Sequence, residues 1–425
     1  MSSAESSGKM NGVSITVFEK QVPSIAIQAP EGEKRGAEFR LFGGVAAQSR
    51  QKGVQLRADS LTGSPDRSRL DAEGRVVASL KDARITGADS CGADFKSNKK
   101  MNQAALGALV LTSLALQGQD VQLVDHANDL HISGARQITV KGIEGDRLSI
   151  VGSGSPVTAD WMKSGLKIQA ARITGSVARG EKYRLEDAAA SGNVRVVVTE
   201  QDGNLTATGD AASFSRQENA LTLKGNVKAV STRKSIPGEM HADKVVVHFK
   251  PNSERYEVES IEAFGPGISY RGEVDAGTVE SAGVEHIQLW PGDSGTRFEA
   301  AGQNAAIWMT PKDAAKTPSW RATSPLLQGT LLKTGELATL EASNRVVLQT
   351  GGISQNKKWQ MTTNSAELHY SRADSVMRLE GGVAVSGTHP ALAGGGATMT
   401  AKRAEIDFEP NSLTPKEVRL FGGQR

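Results

Sequence analysis

Gly292-Asp293-Ser294-Gly295 comes nearest to covalent chemistry, because a serine held in a tight glycine-flanked loop is how a hydrolase can present a nucleophile. Such a serine needs a histidine base brought from a separate element. The nearest, His286, lies just upstream in the same segment, and Asp-Ser-Gly is equally ordinary turn chemistry. Asp125-His126 with Asp129 and His131 clusters possible metal ligands, but polar loop residues account for the same pattern, and no His-Glu-x-x-His string occurs. There is no P-loop to power transport, and no paired-carboxylate spacing for glycoside hydrolysis. Arg233-Lys234 and Lys402-Arg403 can meet phosphate groups or stand as solvated charges at strand corners. The expectation is a protein without catalytic residues, metal or cofactor.

Composition narrows the partners. Lys plus Arg number 50 against 47 Asp plus Glu over 425 residues, and aromatics make up 4%. A near-balanced charge and few stacking rings argue against nucleic acid. Cys91 is the single cysteine, so no internal disulfide can form. Lys99-Lys100-Met101 leads into an apolar run from Ala104 to Leu116, then Gln117-Gly118-Gln119-Asp120. A basic start, a short apolar run and a small or polar exit resemble a secretory signal, although about a hundred residues precede it. It is shorter than the roughly 20 residues a membrane span needs. The readings are a signal at a fusion junction, an anchor, or an Ala/Leu-rich helix packed on the body.

The elements that must position any site are set by a repeat. Leu205-Thr206-Ala207 is followed by Ala212 and Phe214; Met240-His241-Ala242 by Val245, Val247 and Phe249; Met361-Thr362-Thr363 by Ala366, Leu368 and Tyr370; Met399-Thr400-Ala401 by Ala404, Ile406 and Phe408. Each copy has a strand-like partner upstream, such as Gly192-Asn193-Val194, Leu223-Lys224-Gly225-Asn226-Val227, Asn344-Arg345-Val346 and Leu379-Glu380-Gly381-Gly382-Val383. Recurrence of this kind marks one supersecondary unit stacked repeatedly, in two similar halves.

Alternation with period two identifies strands, and no sustained helical period follows residue 120, so the chain reads as all-β. Within each copy the apolar positions change parity: Met240 and Ala242 are even, whereas Val245, Val247 and Phe249 are odd. A flat strand cannot do this without exposing its core face, so a bulge or corner is expected near Asp243-Lys244 and Lys402-Arg403. Gly265-Pro266-Gly267 reads as a turn, residues 310–325 with three prolines as a loop, and residues 1–12 as a polar, disordered start.

Glycine-asparagine-valine, a strand, then leucine or methionine-x-alanine and a later aromatic resembles the OstA-like repeat of lipopolysaccharide transport proteins of the LptA and LptC type. Leu223–Phe249 and Leu379–Phe408 carry the likeness best, and residues 37–90 carry it loosely. The resemblance implies an open, folded-over β-jellyroll, taco- or solenoid-like, that wraps acyl chains in an apolar groove. It divides the chain into an LptC-like β domain (1–98), the signal-like segment or linker (99–120) and two LptA-like halves (121–267 and 268–425). An LptC-like protein would begin with an anchor, where Met1–Gly12 is polar.

The implied function is a periplasmic, non-enzymatic bridge for lipopolysaccharide or a related glycolipid between inner and outer membranes, with inner-membrane association one option. Partners would be other β-jellyroll bridge proteins, joined head to tail by edge-strand pairing, with the Leu420-Phe421-Gly422 end a docking edge. Groove-lining candidates are Val194, Val196, Leu205, Leu223, Val227, Val245, Val247, Phe249, Leu368, Val383, Val385, Ile406 and Phe408. Covering a twelve-carbon chain offsets on the order of 9 kcal/mol of exposure. The same residues can equally fill a closed core, which would make the chain a structural or adhesive β-solenoid without ligand.

Overall fold

The computed structural model describes residues 7–19, 22–36, 38–49, 53–63, 68–97, 109–127, 129–178, 184–234, 236–251, 256–354, 357–392 and 398–422. Among these the protein is all-β, with 25 strands in an antiparallel sheet and no helix. Two compact units share the chain: Met1–Val196 with Ala211–Glu218, and Val197–Asp210 with Asn219–Arg425.

The first unit opens with β1 (Ser7–Glu19), β2 (Val22–Arg35), β3 (Glu38–Ser49), β4 (Val54–Gly63) and β5 (Arg69–Leu80). It continues with β6 (Ala83–Ser97), β7 (Leu109–Asp125), β8 (Leu130–Lys141), β9 (Arg147–Trp161) and β10 (Leu166–Ala178). Each pairs antiparallel with the next. Two expectations change here. Of the start expected to be disordered, residues 1–6 lie outside the described residues and Ser7–Gly12 is strand, because Ser7–Asn11 pair with Glu31–Arg35 even though the side chains from Gly8 to Gly12 stay exposed. Leu109–Leu116 of the apolar run lies in β7, not in a helix: Leu111, Leu114 and Leu116 are buried while the backbone pairs with β6 and β8. Residues 104–108 of that run lie outside the described residues.

β11 (Arg184–Glu200) and β12 (Gly203–Ser215) give residues to both units. The second unit then holds β13 (Ala220–Ser231), β14 (Gly238–Phe249), β15 (Val258–Glu273), β16 (Gly277–Pro291), β17 (Gly295–Ala301) and β18 (Ala306–Pro311). After these come β19 (Ser319–Thr323), β20 (Leu326–Leu332), β21 (Leu337–Ser354), β22 (Lys357–Ser371), β23 (Val376–Gly387), β24 (Met399–Phe408) and β25 (Pro415–Phe421). From β13 onward the pairing is again a meander of neighbours, with one elaboration. β16 pairs with β18 along its first part and with β17 along its second; β21 pairs with β20 first and β19 second. The pairs β17/β18 and β19/β20 each stand where one bent strand would be. Proline-rich residues 310–325 are therefore loop between Pro311 and Ser319 and again at Ser324 and Pro325; Ser319–Thr323 is strand β19.

The corners fall where parity changes. Gly225 and Asn226 of β13 both have positive φ and together oppose the single residue Asp243 of β14, so two residues face one. Gly381-Gly382 of β23 oppose Lys402 in the same way, and Asn344-Arg345 of β21 oppose Ala366. Glycine and asparagine suit these places because they tolerate the left-handed region. Gly265-Pro266-Gly267 is also a corner, inside β15, and not a hairpin turn. Beyond each corner the buried set resumes on the other parity, as in Met361, Thr363 and Ser365 followed by Leu368 and Tyr370. Ser324 bridges the β19/β20 break, its Oγ 2.6 Å from the Ser343 carbonyl oxygen.

Candidate functional site

The interior is built from alternate residues on both sides of each corner. All thirteen lining candidates are buried, none more than 5% exposed. Val194 and Val196 belong to the first unit and the other eleven to the second. In β13 and β14, Leu223 stands directly opposite Val245, and Val247 opposite Leu221. In the second half Leu368 faces Leu379, Ile406 faces Met377, Val383 faces Ala401 and Val385 faces Thr363. Tyr370 and Phe408 meet edge to face with centroids 5.7 Å apart. With no helix among the described residues, these faces are covered by sheet and loops.

Sequence reasoning missed two of the three largest buried side chains of the second unit, Trp320 and Phe298. Trp320, Phe298 and Tyr370 are fully buried, as is Leu41 in the first unit. Trp320 sits beside the prolines read as a loop, and its flanking alternation spans only five residues. Tyr370 was legible as the aromatic end of a repeat copy.

The polar groups sort differently from expectation. Arg233 is not a solvated corner charge. Its side chain is 8% exposed, with Nη2 2.9 Å from Glu200 Oε2 and Nε 3.0 Å from Asp202 Oδ1. Glu200 also accepts the Val258 N–H at 2.9 Å. This ties the turn before β12, the loop after β13 and the start of β15 together. Two carboxylates on one guanidinium leave it no charge to offer a phosphate. Burial nevertheless holds the Glu200 carboxyl above its ordinary range, outweighing the Val258 N–H and Arg233. Arg403, by contrast, is exposed and lies over the Phe421 ring, 4.6 Å from its centroid.

Ser294 lies in the β16–β17 turn, where the Gly292 N–H donates to the Gly295 carbonyl oxygen. His286 pairs with Ala301, five residues along the hairpin from Pro291, or about 17 Å away. Its ring stacks on Phe264 at 4.8 Å. The two do not form a nucleophile and base. Asp125 caps its turn by accepting the Ala127 N–H, and Asp129 pairs with Lys163. No three metal-ligating side chains converge among the described residues.

Three grooves of the second unit include outward-facing polar side chains. One of about 490 Å³ includes Glu341, Glu367, His369, Arg378 and Glu380. Another of about 390 Å³ includes Trp290 and Arg297, whose guanidinium sits 3.9 Å over the indole. The third, about 300 Å³, includes Trp308, Arg321 and Gln349. No known protein-family model matches this sequence, and none of the curated proteins matches it.

Proposed function

We propose that this chain is a non-enzymatic carrier that shields the acyl chains of lipopolysaccharide or a similar glycolipid between two membranes, in a folded-over β-jellyroll located in the periplasm. One observation carries the reading. The inward face is apolar on both sides of the corners in β13, β14, β23 and β24, and in β22 it holds Thr363 and Ser365 between Met361 and Leu368, so a largely apolar strip continues from strand to strand. The OstA-like form of the repeat supports lipid as the occupant. The interior residues are buried, so acyl chains would enter by parting the two sides of the fold. Hydrocarbon would then replace protein side chains as their covering, which keeps both loading and release within reach.

The test places a photoreactive side chain at Val247 or Ile406 and adds lipopolysaccharide. Cross-links from these positions are expected. Labelling confined to outward positions such as Gln328 would count against the carrier.

A second reading, a structural or adhesive β-solenoid with a filled core, is favoured by the near-zero exposure of all thirteen candidates. It predicts no uptake of any apolar ligand. Under either reading, head-to-tail assembly would use β25, which pairs only with Arg403–Phe408 of β24 among the described residues. Its other edge offers backbone groups for strand addition by another β-jellyroll protein. Val418→Pro would weaken such assembly while leaving the monomer folded; unchanged assembly would place the contact elsewhere.

A further inference from the structure

Among the buried polar side chains of the second unit, two unpartnered hydrogen-bonding groups face each other across one strand pair. Trp320 of β19 stands directly opposite Thr350 of β21, and they are 2% and 4% exposed. Trp320 Nε1 and Thr350 Oγ1 find no hydrogen-bond partner among the described residues. A buried indole N–H ordinarily finds an acceptor, and a buried hydroxyl left unpaired is worse than a methyl of the same shape. Phenylalanine and valine would fill these places with less loss, so packing does not account for the residue types.

Their neighbours in the same row are adaptable. Met309 stands opposite Trp320, Met361 opposite Thr350, and Val279 and Gly387 continue the row on either side. Methionine repacks around an incoming group more readily than a branched side chain does. No residue of this row is charged.

We propose that Trp320 and Thr350 form a hydrogen-bonding seat within the interior for a neutral carbonyl oxygen carried on a ligand's hydrocarbon chain, as in an ester or amide. The proposal rests on the carrier reading and says which part of such a ligand this side of the fold recognises. The indole N–H and the threonine hydroxyl each donate to one lone pair of the oxygen. A carboxylate or phosphate is excluded, because no cation stands in the row to offset burial of its charge.

The experiment uses the full chain loaded with the neutral dye diphenylhexatriene, displaced by methyl laurate or by the length-matched hydrocarbon tetradecane. Trp320→Phe/Thr350→Val is expected to weaken methyl laurate about tenfold and leave tetradecane unchanged. Thr350→Val alone, which keeps the shape, is expected to lose several-fold of the ester's affinity with an unchanged melting temperature. Equal affinities in wild type and variants, or equal losses for both ligands, overturn the seat and assign the two groups to bound water or to packing. Wild-type protein that takes up neither the dye nor either chain overturns the carrier reading itself, a result distinct from the first.

Discussion

Asp210 lies where Gly225 would carry a side chain: a Cβ on Gly225 would come within 2.1 Å of Asp210 Oδ2. The same relation, at the same separation in sequence, joins Asp59 to Gly74 and Ala366 to Gly381, with approaches of 2.5 Å each. Each of these three corners is thus a left-handed glycine with the neighbouring strand's side chain laid over it, whereas Asn344-Arg345 makes its corner without glycine. Gly225→Ala meets both the clash and the φ of +80°. It is expected to cost about 2–3 kcal/mol, measured by urea unfolding. Adding Asp210→Gly removes the clash but not the dihedral strain, so about half of the loss should return; no recovery would mean that the clash does not govern the corner.

Arg233 is buried against Glu200 and Asp202. Removing one partner of a buried ion pair leaves the other uncompensated, so Arg233→Ala should lose about 3 kcal/mol of stability. Lys402→Ala, at an exposed corner, should change it by less than about 0.5 kcal/mol. Thermal melts that rank the two alike would contradict the buried tie.

The Glu200 carboxyl also sets a pH dependence. Its folded value is raised above 4.5, so the folded protein keeps this proton to higher pH than the unfolded chain does. The contribution is fully present below the unfolded value and is lost as pH rises through the folded one. Because Glu200→Gln does not titrate, the melting temperature of wild type relative to this variant should fall as pH is raised from 4.5. Asp59 behaves oppositely: the Arg75 hydrogen bond holds it below 3.8, so its contribution is present above that value and lost as pH falls through the folded one. Wild type measured against Asp59→Asn should therefore gain stability with rising pH in that acidic range.

Cys91 is buried in β6, and burial pushes its thiol up to about 12. Thiolate is the reactive form, so iodoacetamide at neutral pH should leave native protein unlabelled and modify it fully in denaturant. Rapid native labelling would show that β6 opens readily.

Period-two alternation made the all-β class legible in the sequence, and the parity switches located the corners. Both follow from a backbone rule that holds whatever the partners are: successive side chains point to opposite faces, so a change of buried parity needs an unpaired residue. The thirteen interior positions were legible for the same reason. What local chemistry left open was decided by tertiary structure. Gly265-Pro266-Gly267 suits a hairpin turn and a mid-strand corner equally, and only pairing with β14 and β16 selected the corner. Arg233 became a buried tie because Glu200 and Asp202 reach it from another hairpin. Trp320 entered the core because β18 and β21 flank a five-residue strand too short to announce itself. Sequence specifies which face of a strand is apolar; which groups meet across that face depends on long-range register, and register is a property of the assembled sheet.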